Sequence, residues 1–188
     1  MLVYYVIPIL ILLYTPIRIE SNFTNETDLN SRKLLTSTYF TTDLDNVITT
    51  SADDVRSIFA IDIDNDGDID VLIASNRDDT VSWWENNGSE SFTERVITSS
   101  ADGATKIIAI DIDGDGDTDM VTATHIDNTV SWWENNGSES FTEHVITSNS
   151  MGVSDIIAID IDNDGDIDII SSMFDDDTVS WWENNGLE

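Results

Sequence analysis

From Val47 onward the chain copies itself. The segment AIDIDNDGDIDVLIAS at 60–75 returns as AIDIDGDGDTDMVTAT at 109–124 and AIDIDNDGDIDIISSM at 158–173, a period of 49 residues. TVSWWENNG recurs at 80–88, 129–137 and 178–186, and FTERVITS at 92–99 returns as FTEHVITS at 141–148. Copies this similar make an array of one structural unit, and the period selects the kind of unit. One period holds four short runs rich in β-branched and aromatic residues: Ser57 to Ile63, Asp70 to Ser75, Thr80 to Glu85 and Phe92 to Thr98. In the first run Ile58, Ala60 and Asp62 share one face, and Phe59, Ile61 and Ile63 the other. Asn-Asn-Gly at 86–88 marks a turn, and no window carries an apolar stripe of helical period. Four strands in about 50 residues is the pattern of a β-propeller blade. The expected fold is therefore all-β, with blades of four antiparallel strands.

The repeats divide as 47–95, 96–144 and 145–188, the last stopping before its fourth strand. Val47, Ile48 and Thr49 align with Val96, Ile97 and Thr98, which places a lone fourth strand at the front. About three blades result, whereas a closed ring takes roughly 4–8. The expectation is a fragment, a truncated reading frame, or a protomer completed by further blades or by self-association. The end blades should then leave apolar faces uncovered, Ile58, Ile61 and Trp83 or Trp84 among them.

The segment before the repeats differs. Residues 1–21 open with LVYYVIPILILLY, an apolar run too short for a membrane span of roughly 20 residues. It reads as a signal peptide, although no Lys or Arg precedes it. Residues 22–46 are polar and aperiodic, a linker. Asn-x-Ser/Thr sequons at Asn22, Asn25, Asn87 and Asn136 suit a secreted or extracellular glycoprotein.

Charge narrows the partners. With 38 acidic residues against 7 basic ones the formal charge is −31, which excludes nucleic acid and anionic membrane surfaces as natural partners. There is no cysteine, so disulfides, thiolate metal sites and thiol catalysis are excluded as well. Such a charge calls for cations.

Each repeat says where they would sit. Between its first and second strands lies an Asp-x-Asp-x-Asp-Gly-x-x-Asp loop: Asp62, Asp64, Asp66, Gly67 and Asp70; then Asp111, Asp113, Asp115, Gly116 and Asp119; then Asp160, Asp162, Asp164, Gly165 and Asp168. Ca²⁺ takes 6–8 oxygen ligands at about 2.3–2.6 Å. Carboxylates at loop positions 1, 3 and 5 converge if the chain turns sharply, which glycine at position 6 permits. Position 7 offers a carbonyl (Asp68, Asp117, Asp166), and the carboxylate at position 9 closes the site. The spacing follows the first nine positions of an EF-hand loop. It departs at position 12, where Ile73, Thr122 or Ser171 replaces the bidentate Glu, and where a strand rather than a helix follows. Every pair among a loop's carboxylates repels by about 1 kcal/mol at 4 Å even in water. A cation offsets this, and oxygen-only donors select Ca²⁺, about three per chain.

These loops, their place between two strands and the blade-length period resemble the FG-GAP/VCBS repeats of integrin-α-type β-propellers, over about residues 57–186. The resemblance implies a seven-bladed, calcium-binding, extracellular propeller used in adhesion or ligand binding. Phe-Gly and Gly-Ala-Pro signatures are absent, so integrin-like partner binding does not carry over. The Trp-Trp-Glu-Asn-Asn-Gly strand looks more like the microbial and algal members.

The Trp pairs at 83/84, 132/133 and 181/182 place neighbours on opposite strand faces, where core packing is the default and sugar stacking the special case. His125 and His144 lack any Ser, Cys or second His at a recognisable catalytic spacing and read as surface residues. The leading expectation is a non-catalytic, calcium-stabilised module that binds an extracellular protein or glycan. The alternatives are an accessory propeller of a larger secreted enzyme and a lectin.

Overall fold

The computed structural model describes residues 46–186; the segment read as a signal peptide and nearly all of that read as a linker lie outside them. Eleven strands form three antiparallel sheets. The first contains β1 (Val55–Ile61), β2 (Asp70–Ser75), β3 (Thr80–Asn86) and β4 (Phe92–Thr98). The second contains β5 (Ala104–Ile110), β6 (Asp119–Thr124), β7 (Thr129–Asn135) and β8 (Phe141–Thr147). The third holds β9 (Val153–Ile159), β10 (Asp168–Met173) and β11 (Thr178–Trp182). Neighbours in sequence are neighbours in the sheet, the meander of a propeller blade.

The sheets stack through their first strands, β1 against β5 and β5 against β9. Side chains alternate between the two faces of each strand, so a middle sheet feeds two cores. Met120 on β6 enters a core with Leu72, Val81 and Trp83 of the first sheet. Its neighbour Val121 turns the other way, into a core with Ile156, Ile169 and Met173 of the third. Each core is thus built between blades rather than within one.

Three details differ from the sequence reading. The first strand ends at Ile61, not Ile63, because the Ile63 N–H bonds the Asp70 carboxylate (3.2 Å) instead of a ladder carbonyl. The Ile63 side chain nevertheless remains in the core, as a residue of the loop. Val47, Ile48 and Thr49 form no strand, since no third strand stands beside them among the described residues. Trp83 and Trp84 are both buried, Trp83 because the second sheet packs over it. Ile58 is uncovered on the first sheet as expected, Ile61 is half-buried, and the open face of the last sheet carries Val179 and Trp181.

Candidate metal centres

The acidic loops fill the β1–β2, β5–β6 and β9–β10 connections. Their shape follows from local hydrogen bonds. The position-1 carboxylates accept the N–H of the position-6 glycine: Gly67 to Asp62 (3.0 Å), Gly116 to Asp111 (3.1 Å) and Gly165 to Asp160 (3.2 Å). The N–H of position 5 donates to position 3, from Asp66 to Asp64, Asp115 to Asp113 and Asp164 to Asp162. The N–H of position 7 donates to position 5 in all three loops. Each short carboxylate is thereby folded back over its own backbone. Gly67, Gly116 and Gly165 adopt φ of +97°, +97° and +107°, with open space where a Cβ would stand. Glycine is required there for the backbone turn and not for room.

The result is convergence. One oxygen from each of Asp62, Asp64 and Asp66 lies within 4.8 Å of the others, and the same holds for Asp111, Asp113 and Asp115. In the third loop the trio is Asp160, Asp162 and Asp168, with Asp164 outside it. Two oxygens bound to one calcium ion are separated by at most twice the metal–oxygen distance, roughly 5 Å. The donor set is all hard oxygen, so the residues fit that ion.

Electrostatics point the same way. Burial, then neighbouring carboxylates, raises Asp64, Asp113 and Asp162 above the ordinary aspartate range, against the help of one backbone N–H each. Burial likewise raises Asp70 and Asp119, partly offset by two backbone donors. A divalent cation would reverse these shifts.

The position-9 residues are fully buried and hold the blade together. One oxygen accepts the N–H of loop position 2: Ile63 to Asp70 (3.2 Å), Ile112 to Asp119 (3.0 Å), Ile161 to Asp168 (3.1 Å). The other accepts the N–H of an asparagine at the end of the third strand, Asn86 (2.7 Å) and Asn135 (2.8 Å), or two residues past it, Asn184 (2.8 Å). Asp70 and Asp119 stand outside the converging trios, whereas Asp168 belongs to its own. Asp68, Asp117 and Asp166, at position 7, lay their side chains against Gly88, Gly137 and Gly186 of the turn after the third strand. Those glycines take φ of +72°, +70° and +62°, and a Cβ on any of them would also press on the carboxylate, which together account for the glycine in Asn-Asn-Gly.

Sequence reasoning took Asn-Asn-Gly for a turn marker and missed the structural part played by its first asparagine. The available signal was its fixed place 16 residues after each position-9 aspartate, as Asp70 and Asn86 illustrate. The histidines are interblade and intrablade contacts. His125 Nδ1 lies 2.9 Å from the Gly103 carbonyl and 3.4 Å from Asn76 Nδ2 of the first blade, and His144 pairs with Glu134 and stacks on Trp132 within its own. Two clefts lie between sheets beside the loops, one of about 470 Å³ floored by Ile112, Trp132 and Trp182, and one of about 300 Å³ where Phe141 intrudes.

Blades of antiparallel strands with an acidic hairpin loop between the first two define a class, an acidic-loop type of propeller-like repeat. The chain belongs to the FG-GAP-like repeat family, which matches residues 62–122 and 111–171. No curated protein matches the chain. One solved structure it resembles is a lectin of Agrocybe aegerita, described as recognising non-reducing terminal N-acetylglucosamine, at 20% identity and a TM-score of 0.47. That alignment covers 63% of this chain and 33% of the lectin, so the chain spans about a third of that structure's length.

Proposed function

We propose that the protein is a secreted or cell-surface, non-catalytic binding module whose blades are stabilised by calcium. The observation that carries this reading is the threefold convergence of carboxylate oxygens within 4.8 Å, one trio per loop. Asp62, Asp64 and Asp66 would hold the first ion, Asp111, Asp113 and Asp115 the second, and Asp160, Asp162 and Asp168 the third, with Asp70, Asp119, Asp164 and the position-7 carbonyls within the same loops. Bound calcium supplies charge neutralisation and a fixed turn, not reaction chemistry. The apolar segment at 1–21 supports secretion, and Asn87 and Asn136 are exposed at blade turns where a glycan could be carried. The partner is an extracellular protein or glycan, met by residues around the clefts between blades.

Calorimetric titration of the full chain with calcium should give about three sites, with affinities around 10⁻⁴–10⁻³ M, as in extracellular modules. Asp66→Ala should remove one site. No uptake at millimolar calcium would refute the reading.

A further inference from the structure

Neighbouring loops are joined by hydrogen bonds through one side chain. Asn135 ends β7 in the second sheet, and its own N–H donates to Asp119 of the second loop (2.8 Å). Its side-chain Nδ2 donates both to the Thr118 carbonyl beside that aspartate (3.1 Å) and to the Ile63 carbonyl in the first loop (3.3 Å). Ile63 in turn donates its N–H to Asp70 of the first loop, and its side chain is buried in the core shared with the second sheet. The path from Asp70 through Ile63 and Asn135 to Asp119 is therefore unbroken, and Asn135 is itself buried. The next junction repeats it. Asn184 donates its N–H to Asp168 (2.8 Å) and its Nδ2 to the Ile112 carbonyl of the second loop at a longer 3.5 Å, and Ile112 donates to Asp119. Asn86, at the same place in the first sheet, reaches only the Ile69 carbonyl of its own loop (3.0 Å).

We propose that Asn135, and more weakly Asn184, are positioning residues that couple calcium binding in adjacent blades, so that a loaded loop pre-forms its neighbour. The proposal rests on the calcium reading above. Position 2 of each loop is the shared part: it lies between the ligands at positions 1 and 3, and in the first two loops the following blade grips its carbonyl. Ordering that residue from either side lowers the cost of ordering the other loop, which is positive coupling and is reciprocal between the two sites.

The test uses the full chain labelled with ¹⁵N-glycine. The amides of Gly67, Gly116 and Gly165 each donate to a position-1 ligand and so report one site apiece. Asn135→Ala should weaken calcium binding at both Gly67 and Gly116, by about fivefold for a lost hydrogen bond, and affect Gly165 least, through the longer Asn184 contact. Asn86→Ala should weaken Gly67 most and, by the same reciprocal coupling, Gly116 to a smaller degree. A second measurement avoids altering the buried asparagine: Asp115→Asn, at an exposed loop tip, should weaken binding at Gly67 as well as Gly116. If Gly67 ignores both Asn135→Ala and Asp115→Asn, the coupling is refuted while calcium binding stands. General destabilisation would weaken all three sites to the same degree, and that outcome also refutes the coupling. If no glycine responds to millimolar calcium, the calcium reading itself falls.

Discussion

Ile58 and Ile107 occupy the same position in successive blades, yet Ile58 is 67% exposed and Ile107 is completely buried. The difference is the blade in front: β1 covers the face of β5 that carries Ile107, and no described strand covers β1 in the same way. Ile107→Ala should therefore cost about 2–5 kcal/mol, as for other buried large-to-small changes. Ile58→Ala should stay within about 0.5 kcal/mol. Urea melts of the two variants make the comparison, and equal losses would mean that the sheets do not stack in solution as described.

Removing calcium should lower the melting temperature steeply. An ion that binds only the folded state stabilises it by about 2.7 kcal/mol per site at a hundred times its dissociation constant. Scanning calorimetry in calcium and in EDTA checks this. Sodium chloride at matched ionic strength should not replace calcium, because screening reduces repulsion without supplying a ligand to the turn.

In EDTA the stability should fall as pH rises. Asp64, Asp70, Asp113 and Asp119 are all raised chiefly by burial, so the folded state holds protons that the unfolded chain has released. Their favourable contribution is present below the ordinary aspartate value of about 3.9 and is lost as pH rises through the folded values. With calcium the slope should reverse over the same window, since protons then compete with the ion. Thermal melts from pH 4 to 7 in both conditions should diverge; parallel curves would count against the loops as the origin.

Gly67 and Gly88 should respond to alanine for different reasons. At Gly67 only the positive φ is violated, costing roughly 1–2 kcal/mol. At Gly88 the new Cβ also meets the Asp68 carboxylate. Gly88→Ala should be partly rescued by Asp68→Ala, and Gly67→Ala should not be. A double-mutant cycle measures this directly.

The blades and the acidic loops were legible because their determinants are local and stated three times. Strand alternation, the turn glycine and the aspartate spacing all act within a dozen residues. The end of β1 was misplaced because Ile63 has the apolar alternation of a strand residue; only the competing Asp70 carboxylate takes its N–H out of the ladder. The role of Asn135 was illegible for another reason. Its partner Ile63 is 72 residues away in a different blade, and no periodicity within one repeat reveals a bond between repeats. Core packing of the Trp pair was legible, but not that neither Trp83 nor Trp84 would be left on the open face, since that depends on which side the next sheet stacks.

The division of labour within each loop has a consequence for how such arrays age. Asp62, Asp64 and Asp66 fold back over their own backbone near the loop tip, whereas Asp70 binds the loop's entry and the end of β3 from a fully buried position. A copy of the repeat can thus lose its tip carboxylates by drift and remain a blade, with a plain turn in their place. Loss of the ninth-position aspartate leaves two backbone donors without their acceptor and undoes the hairpin with the site. Decayed copies in an array of this kind should keep that buried aspartate long after the loop has ceased to bind anything.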